Sequence, residues 1–562
     1  MSGYEDRPEQ SLLRQFGGLN TADGELGLPL GDSPDLDNVD LHPAGSLQKR
    51  GGITSLTTPT GKVKIDALIR LNQPEQSRGW IYAIADNTIY RTPEPGTWAW
   101  QTPTHATSYA LTSQKVYGRQ QSRYNDGSTE HSSVIYLPRA NGVPLILLGQ
   151  TAAAGDIITM PAGSYGDGTV GSGATGYPSD WTTNHFPKYM RLISLGRGSR
   201  MHAWGFANDP SLSWYSELDV PWNFLRSNVD VPAASPEPLI DGGYYYARRG
   251  DGDEITAIVD MFSYTVVFKR HITLIYTGDP GNVDEWSLQA EFPVGCVSDR
   301  AWMKVGNDLF FWSEDGPRSL ASVQEYGDLK HSQLAIKVAE EVTGIAPDGY
   351  ERICCYHDIP NMRVVWFVPM GGATKNDTAY VYYYTQQKWT RWSGKRCEMM
   401  DVLPIKPTSV YNERIVGGSY DNGIVLHESG HADWASGAVS NVAAEYITDW
   451  IRFGEVSDGT RALWLDVFYG EGGTDADIYY QTDLTDEWTQ ITRVIRSYGN
   501  TGTTWGNFTW NNANWNVTGR SHRAWELDQI FRMVRLKFVK TGQGAFEVMG
   551  YRLEARRKGA RA

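Results

Sequence analysis

Cysteine is scarce in this chain, with four in 562 residues. Cys354 and Cys355 are adjacent while Cys296 and Cys397 stand alone, which excludes a disulfide framework and suits synthesis in a reducing cytoplasm. Long apolar runs are missing as well. No stretch approaches the roughly eighteen apolar residues of a membrane span, and the start, MSGYEDRPEQ, has neither the basic nor the apolar region of an export signal. The expectation is a protein that is neither exported by a standard signal nor embedded in a membrane. Positive charge is in deficit: 51 Lys and Arg stand against 65 Asp and Glu, a formal charge of −14. Tight non-specific grip on nucleic acid comes from basic side chains displacing counterions from phosphate, so that class is disfavoured. An acidic wall past which DNA slides is still allowed. Helical periodicity is almost absent. HSQLAIKVAEEV alone reads as a helix, with Ser332 as N-cap and Ala335, Val338, Ala339 and Val342 on one face.

What the chain has in quantity is aromatic and glycine residues, 21 Trp, 31 Tyr and 59 Gly, the composition of short aromatic strands joined by tight turns. From about 62 to 431 one local plan returns without strict repetition. GWIYAIADNTIYRT, MHAWGFANDPSLSWYSELDVPWNF, YTVVFKRHITLIYTGDP, VGNDLFFWSEDGPRSL and MRVVWFVPMGGATKNDTAYVYYYTQQKWTRW each place strands either side of polar turns. Their spacing, about 40 to 60 residues, is that of four-stranded propeller blades. The expected fold is therefore mainly β: a propeller of about six to eight irregular blades, with a set of sandwiches as the alternative. Residues 150–187, rich in Gly, Thr, Ser and Ala, read as a long loop or inserted arm. From 432 to 562 longer alternating strands (Leu465, Val467, Tyr469; Val534, Leu536, Phe538) predict an additional C-terminal β-sandwich-like domain. Residues 1–61 form an N-terminal segment of their own.

Within that segment SPDLDNVDLHPAGSLQKRGG, Ser33 to Gly52, predicts a hairpin. Asn38–Leu41 and Ser46–Lys49 alternate apolar with polar, and His42-Pro43-Ala44-Gly45 suits a type I turn. Asp37 and Arg50 are then expected near each other across the strands.

Few motifs carry chemistry. HESGH, His427 to His431, matches the HExxH of zinc peptidases, in which two histidines on a helix hold the metal and the glutamate is general base. Here it follows a strand of β-branched residues, and a strand would separate the histidines by about 13 Å, too far to share one ion. WGNFTWNNANWN sets Trp505, Trp510 and Trp515 five apart, either as stacking platforms for a sugar or as core rings. Asn376, Asn507 and Asn516 lie in glycosylation sequons, which a cytoplasmic chain leaves bare. DGDE at Asp251 lacks the spacing of a calcium loop, and SEDGPRSL at Ser313 matches an aspartate box incompletely. No phosphate loop, nucleophile elbow or zinc ribbon is present. Neither catalytic, cofactor-binding nor metal residues are assigned.

QFGGLNTADGELGLPLGDSPDLDNVDLHPAGSLQKRGG, from Gln15 to Gly52, resembles the start of the phage tail nozzle proteins, also called tail tubular protein B, of short-tailed bacteriophages. The matching positions are Gly17, Gly18, Asn38, Gly45, Leu47, Lys49 and Arg50. LSWYSELDVPWNF and the stretch from Leu274 to Leu320, with Gly295-Cys296 and the strand at Asp308, are similar to the propeller section of that family. The resemblance implies a β-propeller with added β domains, assembled as a homohexamer around a DNA exit channel, with no catalytic residues and no cofactor. It implies a virion location in the tail, and as partners the head–tail adaptor ring, tail fibres or tailspikes, and double-stranded DNA in passage. On this reading the N-terminal hairpin ties its region into the propeller, supplying a strand that closes the ring. The rival readings are a tail adsorption protein that binds cell-surface glycan and a zinc metallopeptidase.

Overall fold

In the computed structural model, the described residues are 9–557 apart from 74–77, 95–98, 106–119, 126–129, 140–141, 150–153, 161–180, 182–185, 196–197, 225–241, 322–333, 406–411, 436–437, 454–459, 471–475, 499–520 and single positions 14, 25, 44, 87, 283, 335, 343, 493 and 543. Among the described residues seven sheets follow one another between residues 67 and 441 and close into a ring, a seven-bladed β-propeller; they are antiparallel except where Thr104–His105 runs parallel to Ala154–Thr159 and Ala432–Ala435 parallel to Ile53–Ser55. Blade 1 comprises Ala67–Gln73, Arg78–Ala85 and Thr88–Glu94; blade 2 runs over Gln120–Asn125, Glu130–Arg139, Gly142–Leu147 and Ala154–Thr159. Blade 3 is Tyr189–Ser194, Ser199–Phe206, Asp209–Tyr215 and Gly243–Tyr246; blade 4 is Ile255–Met261, Tyr264–Lys269, Thr273–Thr277 and Ser287–Phe292. Blade 5 has three strands among the described residues, Trp302–Val305, Asp308–Ser313 and Gly316–Ser319. Blade 6 is Cys354–Asp358, Arg363–Val368, Thr378–Tyr383 and Lys388–Ser393, and blade 7 begins with Met399–Ile405, Asn412–Gly418 and Ile424–His427.

Aromatic and β-branched side chains glue each blade to the next. Phe268 of blade 4 meets Phe311 of blade 5 with ring centroids 5.0 Å apart, and Trp312 meets Trp366 of blade 6 at 6.0 Å. The ring closes where Leu68, Ile81 and Ala83 of blade 1 share one buried cluster with Val416 and Ile424 of blade 7. Flat apolar blade faces that pack on both sides exclude water only when the circle is complete, so each blade's burial depends on its neighbours.

Two further sheets form a β-sandwich. One holds Thr460–Tyr469, Val494–Tyr498, Ser521–Phe531 and Glu547–Arg557, and the other Ala444–Ile447, Ile451–Arg452, Asp477–Thr482, Thr485–Gln490 and Met533–Lys540. The expected alternation is realised: Leu465, Val467, Tyr469, Val534, Leu536 and Phe538 are all buried in a shared core.

The N-terminal segment belongs to both bodies. Glu9–Leu13, Val39–Leu41 and Leu47–Lys49 join the first sandwich sheet, Leu36–Asp37 joins the second, and Ile53–Ser55 becomes the fourth strand of blade 7. The predicted hairpin forms, with Val39 opposite Lys49 and Leu41 opposite Leu47. Its turn is closed by Gly45 N donating to His42 O at 2.7 Å, and Gly45 has φ +89°. The hairpin itself completes the sandwich; the strand that completes a blade is the next one, Ile53–Ser55, antiparallel to Val425–His427. Past residue 431 the same sheet continues through Ala432–Ala435 and Ala438–Asn441 before the sandwich begins at Ala444.

Two local expectations are corrected. Ala154–Thr159, placed by composition in the loop of 150–187, is a strand that pairs with Gly142–Leu147, because Ile157 and Ile158 pair with Leu147 and Ile146. Among the described residues of the helix expected over 331–342, Ile336–Val338 is a 3-10 turn and Ala339–Val342 one α turn. Of the expected face Val338 and Val342 are buried and Ala339 is half-buried, while Ser332 and Ala335 lie outside the described residues.

Candidate functional site

A concentration of buried charge lies where the N-terminal segment passes between propeller and sandwich. Asn38 takes the left-handed conformation, φ 56°, which asparagine tolerates better than most residues. That turn aims its amide at three parts of the molecule. Nδ2 donates to Asp37 Oδ2, Ser393 Oγ and Ala443 O, each at 3.0 Å, and Oδ1 accepts from Arg50 Nε at 2.5 Å and Ser393 N at 3.0 Å. Arg50 is 1% exposed. It spends its remaining donors on Asp433 (2.9 and 2.6 Å), Gly51 O (3.1 Å) and Ser393 O (3.1 Å). Arg50 lies near Asp37, as the sequence spacing predicts, with the Asn38 amide bonded to both, and its ion-pair partner is Asp433 in the extension of blade 7.

A second cluster adjoins it. The Arg363 guanidinium, 2% exposed, ion-pairs with Asp358 (2.8 Å) of its own hairpin, Asp40 (2.9 Å) of the N-terminal hairpin and Glu428 (3.0 Å) after blade 7. Glu428 also holds the buried Lys395 ammonium at 2.5 Å. Trp392 lies beside both cations, 4.8 Å from Arg363 and 4.2 Å from Lys395, and its indole donates to Asp40 at 3.0 Å. Charges taken from water survive only when paired and hydrogen-bonded, and here three cations face four carboxylates.

This is where HESGH falls. His427 ends the strand Ile424–His427, Glu428 has φ 56°, Gly430 has φ +67°, and Ala432 starts the next strand. The helix that would bring both histidines onto one ion does not form. Among the described residues no group of three His, Cys, Asp or Glu is arranged to hold a metal. Burial and the Lys395 ammonium hold the His427 imidazole well below its ordinary pKa, hence neutral. Against a burial penalty, Lys395 and Arg363 hold the Glu428 carboxyl far below the usual carboxylate range. A carboxylate so strongly favoured is a poor general base near neutral pH. HESGH is thus part of the buried ion-pair cluster that pins blade 7 to the hairpin.

The other motifs separate. Trp505, Trp510, Trp515, Asn507 and Asn516 lie outside the described residues. Asn376 is fully buried and donates to Arg352 O (2.7 Å) and Cys397 O (3.1 Å). Asp251 ion-pairs with the buried Lys269 at 2.6 Å, and Ser313 Oγ donates to Gly316 O at 2.6 Å, so both segments brace turns. Missed altogether in sequence was an aromatic slot on blade 3, lined by Trp181, Phe206, Leu212, Trp214, Tyr244 and Tyr246. Its signal was the two-residue spacing of Leu212 with Trp214 and of Tyr244 with Tyr246.

No family model and no curated protein matches the chain. Solved structures similar to it include the extracellular domain of a putative hybrid two component system from B. thetaiotaomicron, at 10% identity and TM-score 0.36, covering 78% of this chain and 47% of that one. The chain spans about half the length of that structure. An exo-beta-1,3-galactanase from Phanerochaete chrysosporium is similar at 10% identity and TM-score 0.23, covering 65% of this chain and 95% of the enzyme.

Proposed function

We propose that this chain is a structural virion protein, the nozzle of a short phage tail, assembled as a homohexamer around the path by which DNA leaves the head. The observation that carries the reading is the N-terminal stretch. Each of the seven positions on which its resemblance rests has an architectural task. A Cβ on Gly17 would lie 2.3 Å from Asp32 Oδ1, where the segment folds back on itself, and one on Gly18 would lie 2.7 Å from the backbone N and O of Trp389, so only glycine at 18 lets the segment run this close to blade 6. Asn38 and Gly45 occupy left-handed backbone, Leu47 is fully buried, Lys49 Nζ donates to Gly542 O at 2.6 Å, and Arg50 is the buried clamp.

A segment that locks propeller to sandwich suits a conduit wall that must hold its shape while DNA passes. Its mechanism is mechanical and electrostatic. Where part of the net charge of −14 per chain lines the bore, it repels phosphate and keeps the genome from adhering as it moves. The chain is synthesised in the host cytoplasm and resides in the tail, bound to its own copies, to the head–tail adaptor ring above and to fibres or tailspikes. It acts without a catalytic residue of its own.

Antibody labelling of intact particles under the electron microscope tests this. Label on the tail axis below the head is the expected result. Label confined to side fibres, or on no particle, overturns it.

A further inference from the structure

We infer that blade 3 carries a glycan-binding groove, formed around the hairpin of Ser199–Phe206 and Asp209–Tyr215, for an uncharged oligosaccharide. The two outer strands of the blade pair Leu212 with Tyr246 and Trp214 with Tyr244. Alternation along a strand sets these four side chains on one face. With Trp181 and Phe206 they line a slot of about 210 Å³ with Asp209 beside it. The floor is buried: Trp181, Phe206 and Trp214 are each under 5% exposed, whereas Tyr244 is 47% exposed. Ring centroids lie 5.0 Å apart for Trp214 and Tyr244 and 5.9 Å for Tyr244 and Tyr246, the second pair edge-on at 82°. The Arg249 guanidinium sits 4.4 Å over Tyr246.

On the other side of the same hairpin tip lies a polar cavity of about 450 Å³, within the roughly 300–1,000 Å³ usual for small-ligand sites. Phe206 borders both. Lys188, Asn208, Thr256, Glu254 and Glu351 line the polar one, and Lys188 ion-pairs with Glu351 at 3.0 Å, both partly exposed. A pyranose has the same two characters. Its C–H face stacks on an aromatic ring, and its hydroxyl rim both donates and accepts. The slot offers rings, and the adjoining cavity is edged by the Lys188–Glu351 ion pair, the Asn208 amide and the Glu254 carboxylate. Lys188 and Arg249 nearly offset Asp209, Glu254 and Glu351, which selects against a strongly anionic sugar. A proline-rich peptide also seats on aromatic grooves, but it carries few donors for the carboxylate-bearing cavity beside the slot.

The test is titration of the full chain with maltotetraose, cellotetraose, laminaritetraose and chitotetraose, read by saturation-transfer NMR and tryptophan fluorescence. At least one is expected to bind, with Tyr244→Ala weakening it about tenfold and Tyr244→Phe retaining it. Tyr244 is half in solvent, so a melting curve of the alanine variant that matches the parent separates lost binding from lost folding. Should Tyr244→Ala itself unfold, Asp209→Asn and Arg249→Ala serve as second variants, each expected to weaken binding. No saturation transfer from any of the four at roughly 10 mM overturns the inference, as does binding that none of these variants changes. Binding of decaproline at the slot in place of every sugar overturns it in favour of a peptide site. The nozzle reading rests on the N-terminal segment and stands or falls separately.

Discussion

Arg50 and Asp433, 383 positions apart in the chain, form a two-toothed ion pair with N···O distances of 2.9 and 2.6 Å in a site where Arg50 is 1% exposed. One belongs to the end of the N-terminal hairpin and the other to the extension of blade 7. The pair therefore fastens the chain's beginning to the last blade of the ring.

Removing one partner leaves the other charged and buried, which costs about 3–5 kcal/mol. Arg50→Ala and Asp433→Ala are each expected to lower the denaturant midpoint strongly, with the double variant less destabilised than the sum of the two. A loss below about 1 kcal/mol in either single variant would show that the clamp behaves like a surface pair.

Asn38 separates backbone strain from hydrogen bonding. Asn38→Gly keeps access to φ 56° and loses only the amide bonds, while Asn38→Ala loses both. Alanine in left-handed backbone costs about 1 kcal/mol beyond glycine, so the alanine variant should be the less stable by about that amount. Equal melting temperatures would mean that the conformation relaxes.

Glu428 makes the fold acid-sensitive. Its folded pKa is depressed by Lys395 and Arg363, so its contribution is fully present above the unfolded carboxyl value and is lost as pH falls through the folded one. Glu428→Gln should destabilise at neutral pH and reduce the acid-side slope of stability, followed by thermal melts between pH 7 and 3. An unchanged slope would refute the assignment.

Asp449 acts in the opposite sense. Burial raises its carboxyl to about 6, and Oδ1 has no hydrogen-bond partner among the described residues. The folded state then holds the proton more tightly than the unfolded state, so stability is greatest below the ordinary value and declines as pH rises towards 6. Asp449→Asn should stabilise at pH 7 and flatten that decline; a variant less stable at pH 7 would reverse the argument.

The alternation of Leu465 with Val467 and Tyr469, the turn at His42–Gly45 and the aromatic hairpins were legible because each is a local signal, set by a period of two or by turn chemistry over four residues. HESGH could be read as strand rather than helix for the same reason, from the β-branched run before it. Local pattern also settled the strand-rich class and a count of blades to within one of the seven found. The partner of each strand and charge was not legible. Arg50 to Asp433, Arg363 to Glu428, and Ile53–Ser55 to blade 7 join residues far apart in the chain. Such pairings are chosen by closing the ring and excluding water from the junction, and a one-dimensional pattern does not encode that choice. The blade 3 slot follows the same logic. Its residues alternate visibly along two strands, but only the pairing of Trp214 with Tyr244 brings them onto one face.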